Sequence, residues 1–478
     1  MARNSLPLVL LLFVTAAGAE PPTKTVAMEA LTSGLWHAHV QEEDFLYEFT
    51  IEDGHLGGRM HRVVGDKQML EVPLSWVKLD GSAIEIGMGM FPPYVGEVDL
   101  EAARIVGGLP EVPPFRELNL TRVDAAEWPM TRPRPPAEAG KSSSLWTRPQ
   151  DIDDGWPTGA PSDFSIDPAN VDRTIQVILD GEAGSIHSLL VVRDGTLLVE
   201  EYFHGWARED LHMTASCTKS VASLLTGIAI DQGHIEGVDV PLLQFFPELS
   251  ASAGQGWEAV QLQHLLTMSM GLDWTDEEAE GWPPLENQYA LVLERKVTTP
   301  PGTQWRYGNR DVNLLTGVIS QSTGVEADAF AAKHLFEPLG IDDWDWDYRR
   351  WEVHPDMATG LSLRPRDMAK LGQLLVNQGT WQDRRVVSEE WIRELPQTHI
   401  PTDRGKGYSY LWWRFDPPPP DFPLGIVTLA WGVGSQYIWV VPEARLVVVI
   451  TGGNNYNERA MDILQVLNRS LVPGVVVS

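Results

Sequence analysis

The chain has 478 residues with 36 basic and 66 acidic side chains, which gives a formal net charge of −30 at pH 7. This acidic balance argues against nucleic acid and anionic membrane surfaces as partners. Because Cys217 is the only cysteine, the chain cannot form an internal disulfide. The length of the chain predicts two domains.

Residues 1–19 have the pattern of a secretory signal peptide. The basic residue Arg3 precedes an apolar stretch over residues 6–14 and small residues that end at Ala19. The apolar stretch is too short for a comfortable membrane span, and no cysteine near the cut offers a lipid attachment site. We therefore expect cleavage after Ala19, no membrane insertion, and a periplasmic or secreted bacterial protein.

Residues 20–123 have the pattern of a small all-β domain, either a barrel or a sandwich. Short alternating segments separated by turn pairs such as Asp53-Gly54 and Asp80-Gly81 predict strands. The predicted strands cover residues 35–40, 45–51, 70–77, 84–86 and 118–122. No catalytic constellation is visible among them, so we expect an accessory domain without chemistry of its own.

A Ser-x-x-Lys pattern occurs within this region, at Ser75 and Lys78. Side chains three positions apart in a strand point to opposite faces of the sheet. We therefore interpret this copy as chance.

Residues 124–165 are rich in proline, serine and glycine, which predicts a linker, and residues 166–478 form the second predicted domain. This domain begins with a helix over residues 168–179 and a hairpin around Asp194-Gly195. It closes with a β-rich hairpin followed by a helix over residues 458–471. Strands at both ends with helices between them predict an α+β fold, in which one antiparallel sheet is flanked by helices and an all-α lobe.

Ser216 and Lys219 form the most informative pattern of the chain, because apolar residues at helical spacing follow them. Residues three apart on a helix share a face, so a hydroxyl and an amine lie one turn apart, as a nucleophile and its base require. Free N–H groups at a helix N-terminus also favour the negative charge that develops in acyl transfer. The alternative is an N-cap serine with a solvated lysine. Between them, Cys217 is interpreted as a small packing residue.

Two downstream segments carry further candidate residues. Tyr307-Gly308-Asn309 offers Tyr307 as a second base and Asn309 as a group that orients the substrate or the lysine; alternatively, Asn309 is a turn residue. Glycines in residues 431–436 let a substrate approach the backbone, and a backbone N–H there completes an oxyanion hole with that of Ser216; the alternative is a glycine bulge at a strand start. The candidate substrate-binding residues are Asn309, Trp431, Gly432, Gly434 and Ser435.

These motifs resemble the serine β-lactamase and penicillin-binding-protein superfamily, in particular its class C-like branch. The resemblance extends from about Ser185 to the C-terminus and includes the flanking segments 264–267 and 364–368. It implies a β-lactamase-like fold, with Ser216 as the nucleophile and with Lys219 and Tyr307 sharing the role of base. Lysine and tyrosine side chains ordinarily keep their protons at neutral pH, so this role requires an environment that the fold must create.

The third motif departs from the best-known members, which carry Lys-Thr-Gly or His-Thr-Gly where this chain has Trp431. In this respect the chain is similar to the esterases and 6-aminohexanoate-dimer hydrolases of the branch. The expected activity is therefore hydrolysis of a small-molecule ester or amide through an acyl-enzyme on Ser216. The alternatives are a β-lactamase or DD-peptidase acting on cell-wall-like substrates, and a non-hydrolytic penicillin-binding or sensing module.

Other chemistries lack a pattern in this sequence. No Gly-x-Ser-x-Gly elbow, zinc-binding histidine helix or phosphate-binding glycine loop is present, so we expect no metal and no other cofactor. Of the 19 tryptophans, we interpret Trp344, Trp346, Trp412 and Trp413 as packing residues. The oligomeric state stays open.

Overall fold

A computed structural model describes residues 24–88, 91–112, 115–133, 144–273, 288–347, 354–403, 405–415, 422–454 and 462–476. The predicted signal peptide lies outside the described residues. Within these ranges, no helix combines the length and the apolar character needed to cross a membrane.

The chain divides into two compact units. The first contains Met1–Val40, Leu46–Arg59 and Leu74–Asp124, and the second contains Gln41–Phe45, Met60–Pro73 and Ala125–Ser478. Residues 60–73, which the sequence analysis assigned to the accessory domain, thus belong to the larger unit.

The N-terminal region confirms the predicted all-β character. Helix α1 (Lys24–Leu31) precedes nine strands in the described residues, which form one sheet in the order β4-β3-β2-β1-β9-β8-β7-β6-β5. The strands are β1 (Leu35–Val40), β2 (Glu43–Glu52), β3 (His55–Val64), β4 (Lys67–Pro73), β5 (Trp76–Asp80), β6 (Ala83–Met88), β7 (Phe91–Asp99), β8 (Arg104–Gly108) and β9 (Leu120–Val123). Alternation is clear in β6, where Ile84 and Ile86 are buried while Ala83 and Glu85 are exposed.

The larger unit has the predicted α+β architecture. Its main sheet, as far as the chain is described, contains eight antiparallel strands in the order β11-β10-β22-β21-β20-β19-β18-β17. The strands of the unit are β10 (Ile186–Arg193), β11 (Thr196–Tyr202), β12 (His212–Met213), β13 (Trp344–Trp346), β14 (Leu361–Leu363), β15 (Thr380–Trp381), β16 (Arg384–Arg385), β17 (Ile400–Pro401), β18 (Gly407–Tyr408), β19 (Trp413–Phe415), β20 (Val427–Gly432), β21 (Gln436–Val441) and β22 (Leu446–Gly452).

The helices cover this sheet or build the α lobe. They are α2 (Pro168–Leu179), α3 (Cys217–Asp231), α4 (Leu262–Leu266), α5 (Gln288–Leu293), α6 (Asn309–Val312), α7 (Leu314–Thr323), α8 (Ala327–Ala331), α9 (Glu337–Leu339), α10 (Pro365–Val376), α11 (Glu389–Glu394) and α12 (Asp462–Ser470). Helix α10 packs on β21 and β22, whereas α3 lies between α7 and β20. Every residue from Cys217 to Ala229 is buried. The first turn of α3 therefore lies in the core with the rest of the helix.

The second half of the predicted linker packs against other residues of the larger unit. The Trp146 indole N–H donates to the Leu198 carbonyl at 2.7 Å, and Trp156 is 2% exposed with its ring edge-on to Trp381 at 4.8 Å. Burial of these two large rings stabilises the packing of residues 144–165 within the larger unit.

Candidate active site

Ser216 occupies a sharp turn at the start of α3. The preceding residue, Ala215, has a φ of +48°, a left-handed conformation that costs a non-glycine residue energy and is concentrated at functional sites. Ser216 stands at the N-cap position, yet its side chain makes no capping hydrogen bond. The Ser216 hydroxyl therefore does not cap α3, in contrast to the alternative interpretation of Ser216 as an N-cap serine.

Lys219 lies one turn later and is 1% exposed. Its Nζ donates to Ser216 Oγ at 3.0 Å, to Asn309 Oδ1 at 2.7 Å and to the Ala358 carbonyl at 2.8 Å. The amide oxygen and the carbonyl can only accept, so they occupy two N–H groups in any protonation state. The third hydrogen-bonding position of Lys219 Nζ faces the Ser216 hydroxyl, which can donate as well as accept. In a neutral amine, the lone pair would therefore face the Ser216 hydroxyl.

The Ala358 carbonyl is held by a short loop before β14. Asp356 is 3% exposed, and one carboxylate oxygen accepts from the backbone N–H groups of Ala358 at 2.8 Å and Thr359 at 3.2 Å. Asn313 Oδ1 accepts from the Met357 N–H at 2.7 Å. Sequence reasoning missed this support for Lys219, because a backbone acceptor has no residue signature; an Asx turn at Asp356 was the available signal.

Tyr307 lies beside the lysine within an aromatic cluster. Lys219 Nζ is 5.0 Å from the centre of its ring, and the Trp413 ring stacks against it at 6.0 Å and 22°. Burial, together with the nearby Tyr307, raises the pKa of Tyr408, so Tyr408 keeps its proton. Trp413 was interpreted as packing; it is 4% exposed, but it packs on a candidate base.

The third motif forms the end of β20 and the turn into β21, against the nucleophile. A Cβ atom on Gly432 would lie 2.4 Å from the Thr214 carbonyl oxygen and 3.1 Å from Ala215 Cβ, so only glycine permits this approach. Cys217 Sγ donates to the Gln436 carbonyl at 3.4 Å. Burial raises the pKa of the Cys217 thiol, which disfavours the reactive thiolate.

The predicted substrate-binding residues of this motif have different environments. Trp431 is half-buried, and its ring lies 5.2 Å from that of Trp413 and 6.2 Å from that of Tyr437. Gly434 and Ser435 have φ values of +87° and +70°. Ser435 is fully buried, and its hydroxyl accepts from Asn454 Nδ2 at 3.0 Å.

Comparisons with known proteins identify the family to which the larger unit is similar. The Beta-lactamase family model matches residues 171–468, which is more than half of the chain. The chain is 24% identical to the 6-aminohexanoate-dimer hydrolase of Paenarthrobacter ureafaciens over 294 residues, 55% of this chain and 71% of that protein. It is 26% identical to the lovastatin esterase of Penicillium rubens over 195 residues, 36% of this chain and 48% of the relative.

A solved structure of a class C beta-lactamase mutant has the same fold. Its TM-score is 0.51 at 16% identity, and the match covers 63% of this chain and 96% of that one. With the family match over the larger unit, the chain belongs to the Beta-lactamase family and is a serine hydrolase of the β-lactamase and penicillin-binding-protein superfamily.

Proposed function

We propose that the protein hydrolyses neutral or weakly polar esters or amides through an acyl-enzyme on Ser216. The observation that carries this proposal is the set of three hydrogen bonds made by Lys219 Nζ. Two of the three partners of the nitrogen can only accept a hydrogen bond. The third partner, the hydroxyl of the proposed nucleophile, can also donate one.

In the proposed mechanism, Lys219 and Tyr307 share the general base role. The proton of Ser216 Oγ passes to a base as the oxygen attacks the substrate carbonyl carbon. Backbone N–H groups of Ser216 and the 432–436 turn stabilise the oxyanion. Collapse of the tetrahedral intermediate expels the alcohol or amine, which takes up the proton. Water, deprotonated by the same base, then attacks the carbonyl carbon of the acyl-enzyme. The bond to Ser216 Oγ breaks, the oxygen takes the proton back from the base, and the acid is released.

The character of Trp431 supports a substrate without a carboxylate at this position. A charge-assisted hydrogen bond to a desolvated carboxylate contributes about 1.5–3 kcal/mol, and a tryptophan supplies no charge. The two relatives are named as a hydrolase of a 6-aminohexanoate dimer and an esterase of lovastatin, which fits the cleavage of an amide or ester bond but says nothing about the charge of the substrate here.

Intact-mass spectrometry during turnover tests the proposal. We expect the wild-type protein to gain the mass of one acyl group from p-nitrophenyl esters or D-amino-acid amides, with the adduct located on the peptide containing Ser216. Absence of both an adduct and turnover across these substrates would refute it. Efficient nitrocefin turnover that exceeds ester turnover would favour the β-lactamase alternative, which Arg306 and Arg310 beside the Tyr-x-Asn motif would then explain by supplying the cation. A stable nitrocefin adduct without turnover would favour a penicillin-binding module.

We also propose a periplasmic or secreted location, on the basis of residues 1–19 alone. A mature protein whose N-terminus is Glu20, recovered from the periplasm or the medium, would support it. An intact N-terminus in the cytosolic fraction would contradict it.

A further inference from the structure

The turn of residues 432–436 has a backbone that needs support from outside itself. Gly434 and Ser435 both have left-handed φ values, which for the serine is an uncommon and costly conformation. The side chain of Ser435 is nevertheless fully buried. A conformation of this kind persists only where its surroundings fix it.

Asn454 supplies that support with both polar atoms of its side chain and with its backbone N–H. Its Oδ1 accepts from the Ser185 N–H at 2.8 Å, and its Nδ2 donates to the Ala183 carbonyl at 2.9 Å and to Ser435 Oγ at 3.0 Å. Its backbone N–H donates to the Gly434 carbonyl at 3.2 Å. The residue is fully buried, so these bonds connect the turn to the start of β10 without competition from water.

Gln68 extends this connection to residues 60–73. Its Nε2 donates to Ser185 Oγ at 2.8 Å, and Gln68 is itself fully buried. Its backbone is fixed on both sides, since its N–H donates to the His204 carbonyl at 3.1 Å and its carbonyl accepts from the Trp206 indole at 2.8 Å. Three residues on, the Glu71 N–H donates to the Gly453 carbonyl at 3.1 Å. A segment that carries no catalytic group therefore holds both Ser185 and the residue next to Asn454.

We propose that Asn454 and, through Ser185, Gln68 are positioning residues that hold the 432–436 turn against the nucleophile. This inference rests on the proposed function, because the turn is assigned there to the oxyanion. The turn's distance from the nucleophile is tightly set, since Gly432 has no space for a Cβ beside Thr214. A small displacement of the turn would misplace a backbone donor, and such donors act only when aimed at the developing charge.

Three variants test the proposal: Asn454→Ala, Gln68→Ala and Ser435→Gly. The third removes only the hydroxyl partner of Asn454, and glycine accepts a φ of +70° without strain, so this protein should fold even if Asn454→Ala does not. Each is assayed with p-nitrophenyl butyrate and with phenylboronic acid, which forms a tetrahedral adduct with a catalytic serine.

Matched controls come from buried amides elsewhere in the larger unit. Asn170 is 8% exposed and its Nδ2 donates to the Ser470 carbonyl at 2.5 Å. Gln373 is 1% exposed and its Nε2 donates to Asn377 Oδ1 at 3.0 Å. Asn170→Ala and Gln373→Ala each remove one buried hydrogen bond, as Gln68→Ala and Ser435→Gly do, and should lower the melting temperature by a comparable amount. Asn454→Ala removes three such bonds and should lower it further.

We expect kcat to fall about a hundredfold in Asn454→Ala, which is near the loss seen when one oxyanion donor is deleted. In the other two variants we expect a smaller loss, of about tenfold. KM should stay nearly unchanged, and the inhibition constant of the boronic acid should rise in proportion to the loss of kcat/KM. The controls should keep the wild-type kcat and inhibition constant.

Wild-type kcat and boronic acid affinity in folded Asn454→Ala or Ser435→Gly would overturn the inference alone. Equal losses of activity in the controls would also overturn it, since general destabilisation would then account for the effect. A wild-type protein that neither hydrolyses an ester nor binds the boronic acid would instead refute the proposed function.

Discussion

The chain contains two Ser-x-x-Lys segments, and their environments differ in almost every respect. At the first, Ser75 is exposed beside β5, and the Lys78 side chain is 69% exposed, with its Nζ 4.4 Å above the Trp76 ring and 3.6 Å from Glu85. At the second, the lysine is buried and hydrogen-bonded to the serine itself. The Ser-x-x-Lys motif therefore indicates catalysis only where a helix places the two side chains on one face and the core shields them from water.

The largest expected difference between the two segments follows from deleting each serine. We expect Ser216→Ala to abolish hydrolysis, because no attacking oxygen remains, while the fold is kept. Ser75→Ala should change little. Turnover of p-nitrophenyl butyrate and the melting temperature of both variants measure this contrast, and wild-type turnover by Ser216→Ala would refute the mechanism.

Deletion of each lysine should give the next largest contrast. Lys219→Ala should lower kcat by at least about a hundredfold if its amine is a general base, whereas Lys78→Ala removes only an exposed ion pair of small value. A small exogenous amine should restore part of the activity of Lys219→Ala in proportion to its concentration. Activity of Lys219→Ala within a fewfold of wild type would remove the lysine from the base role.

Tyr307→Phe refines this result, because it keeps the ring that stacks on Trp413 and removes only the hydroxyl. A loss similar to that of Lys219→Ala would support a shared role. A small loss would assign the proton transfer to the lysine alone.

Tryptophans allow the same comparison at a smaller scale. Trp431→Lys should raise kcat/KM for nitrocefin relative to p-nitrophenyl butyrate by about tenfold or more, because a cation near a desolvated carboxylate contributes about 1.5–3 kcal/mol. Trp76→Lys, in the exposed strand, should leave this ratio unchanged. An unchanged ratio in Trp431→Lys would show that the third motif does not select the charge of the substrate.

Local sequence patterns predicted the exact bounds of some strands and helices, and they missed other strands for physical reasons. Strand β1 and helix α2 have their predicted bounds; in α2, Asp167 caps the helix by accepting from the Ala169 N–H at 2.9 Å. Strand β3 was missed because Gly58 interrupts the alternation; its φ is +141°, and a Cβ there would lie 2.0 Å from the Glu48 carbonyl oxygen. Strand β7 was missed because it contains two prolines.

The candidate site divides in the same way. Ser216, Lys219, Tyr307 and Asn309 could be predicted because side chains that carry chemistry recur at fixed spacing. The Ala358 carbonyl and Asn454 could not, since the first is a backbone atom and the second acts through bonds to residues far away in sequence, such as Ser185, which lies 269 positions earlier. Such contacts are set by the packing of β10 beside β22.

The smallest expected effect concerns stability and compares a buried histidine with an exposed one. His212 is 2% exposed, stacks on Trp206 at 3.8 Å, and has neighbours in His187 and Thr451. Burial, with a contribution from Lys67, lowers the pKa of His212 to about 3.

An unfolded histidine has a pKa of about 6.5, so between about pH 6.5 and about pH 3 the unfolded chain binds the proton that the folded chain excludes. The free energy of unfolding should therefore decrease as the pH falls through this window, by at most about 1.4 kcal/mol per pH unit for this group, and should not depend on it above pH 7. Burial and two neighbouring histidines also lower the pKa of His187, so we expect His212→Phe, which keeps the stacked ring, to flatten the curve without levelling it. His55→Gln, at the exposed start of β3, should leave the curve unchanged. Urea unfolding at several values between pH 7 and pH 4 measures the slopes, and parallel curves for wild type and His212→Phe would show that the excluded proton does not contribute to acid sensitivity.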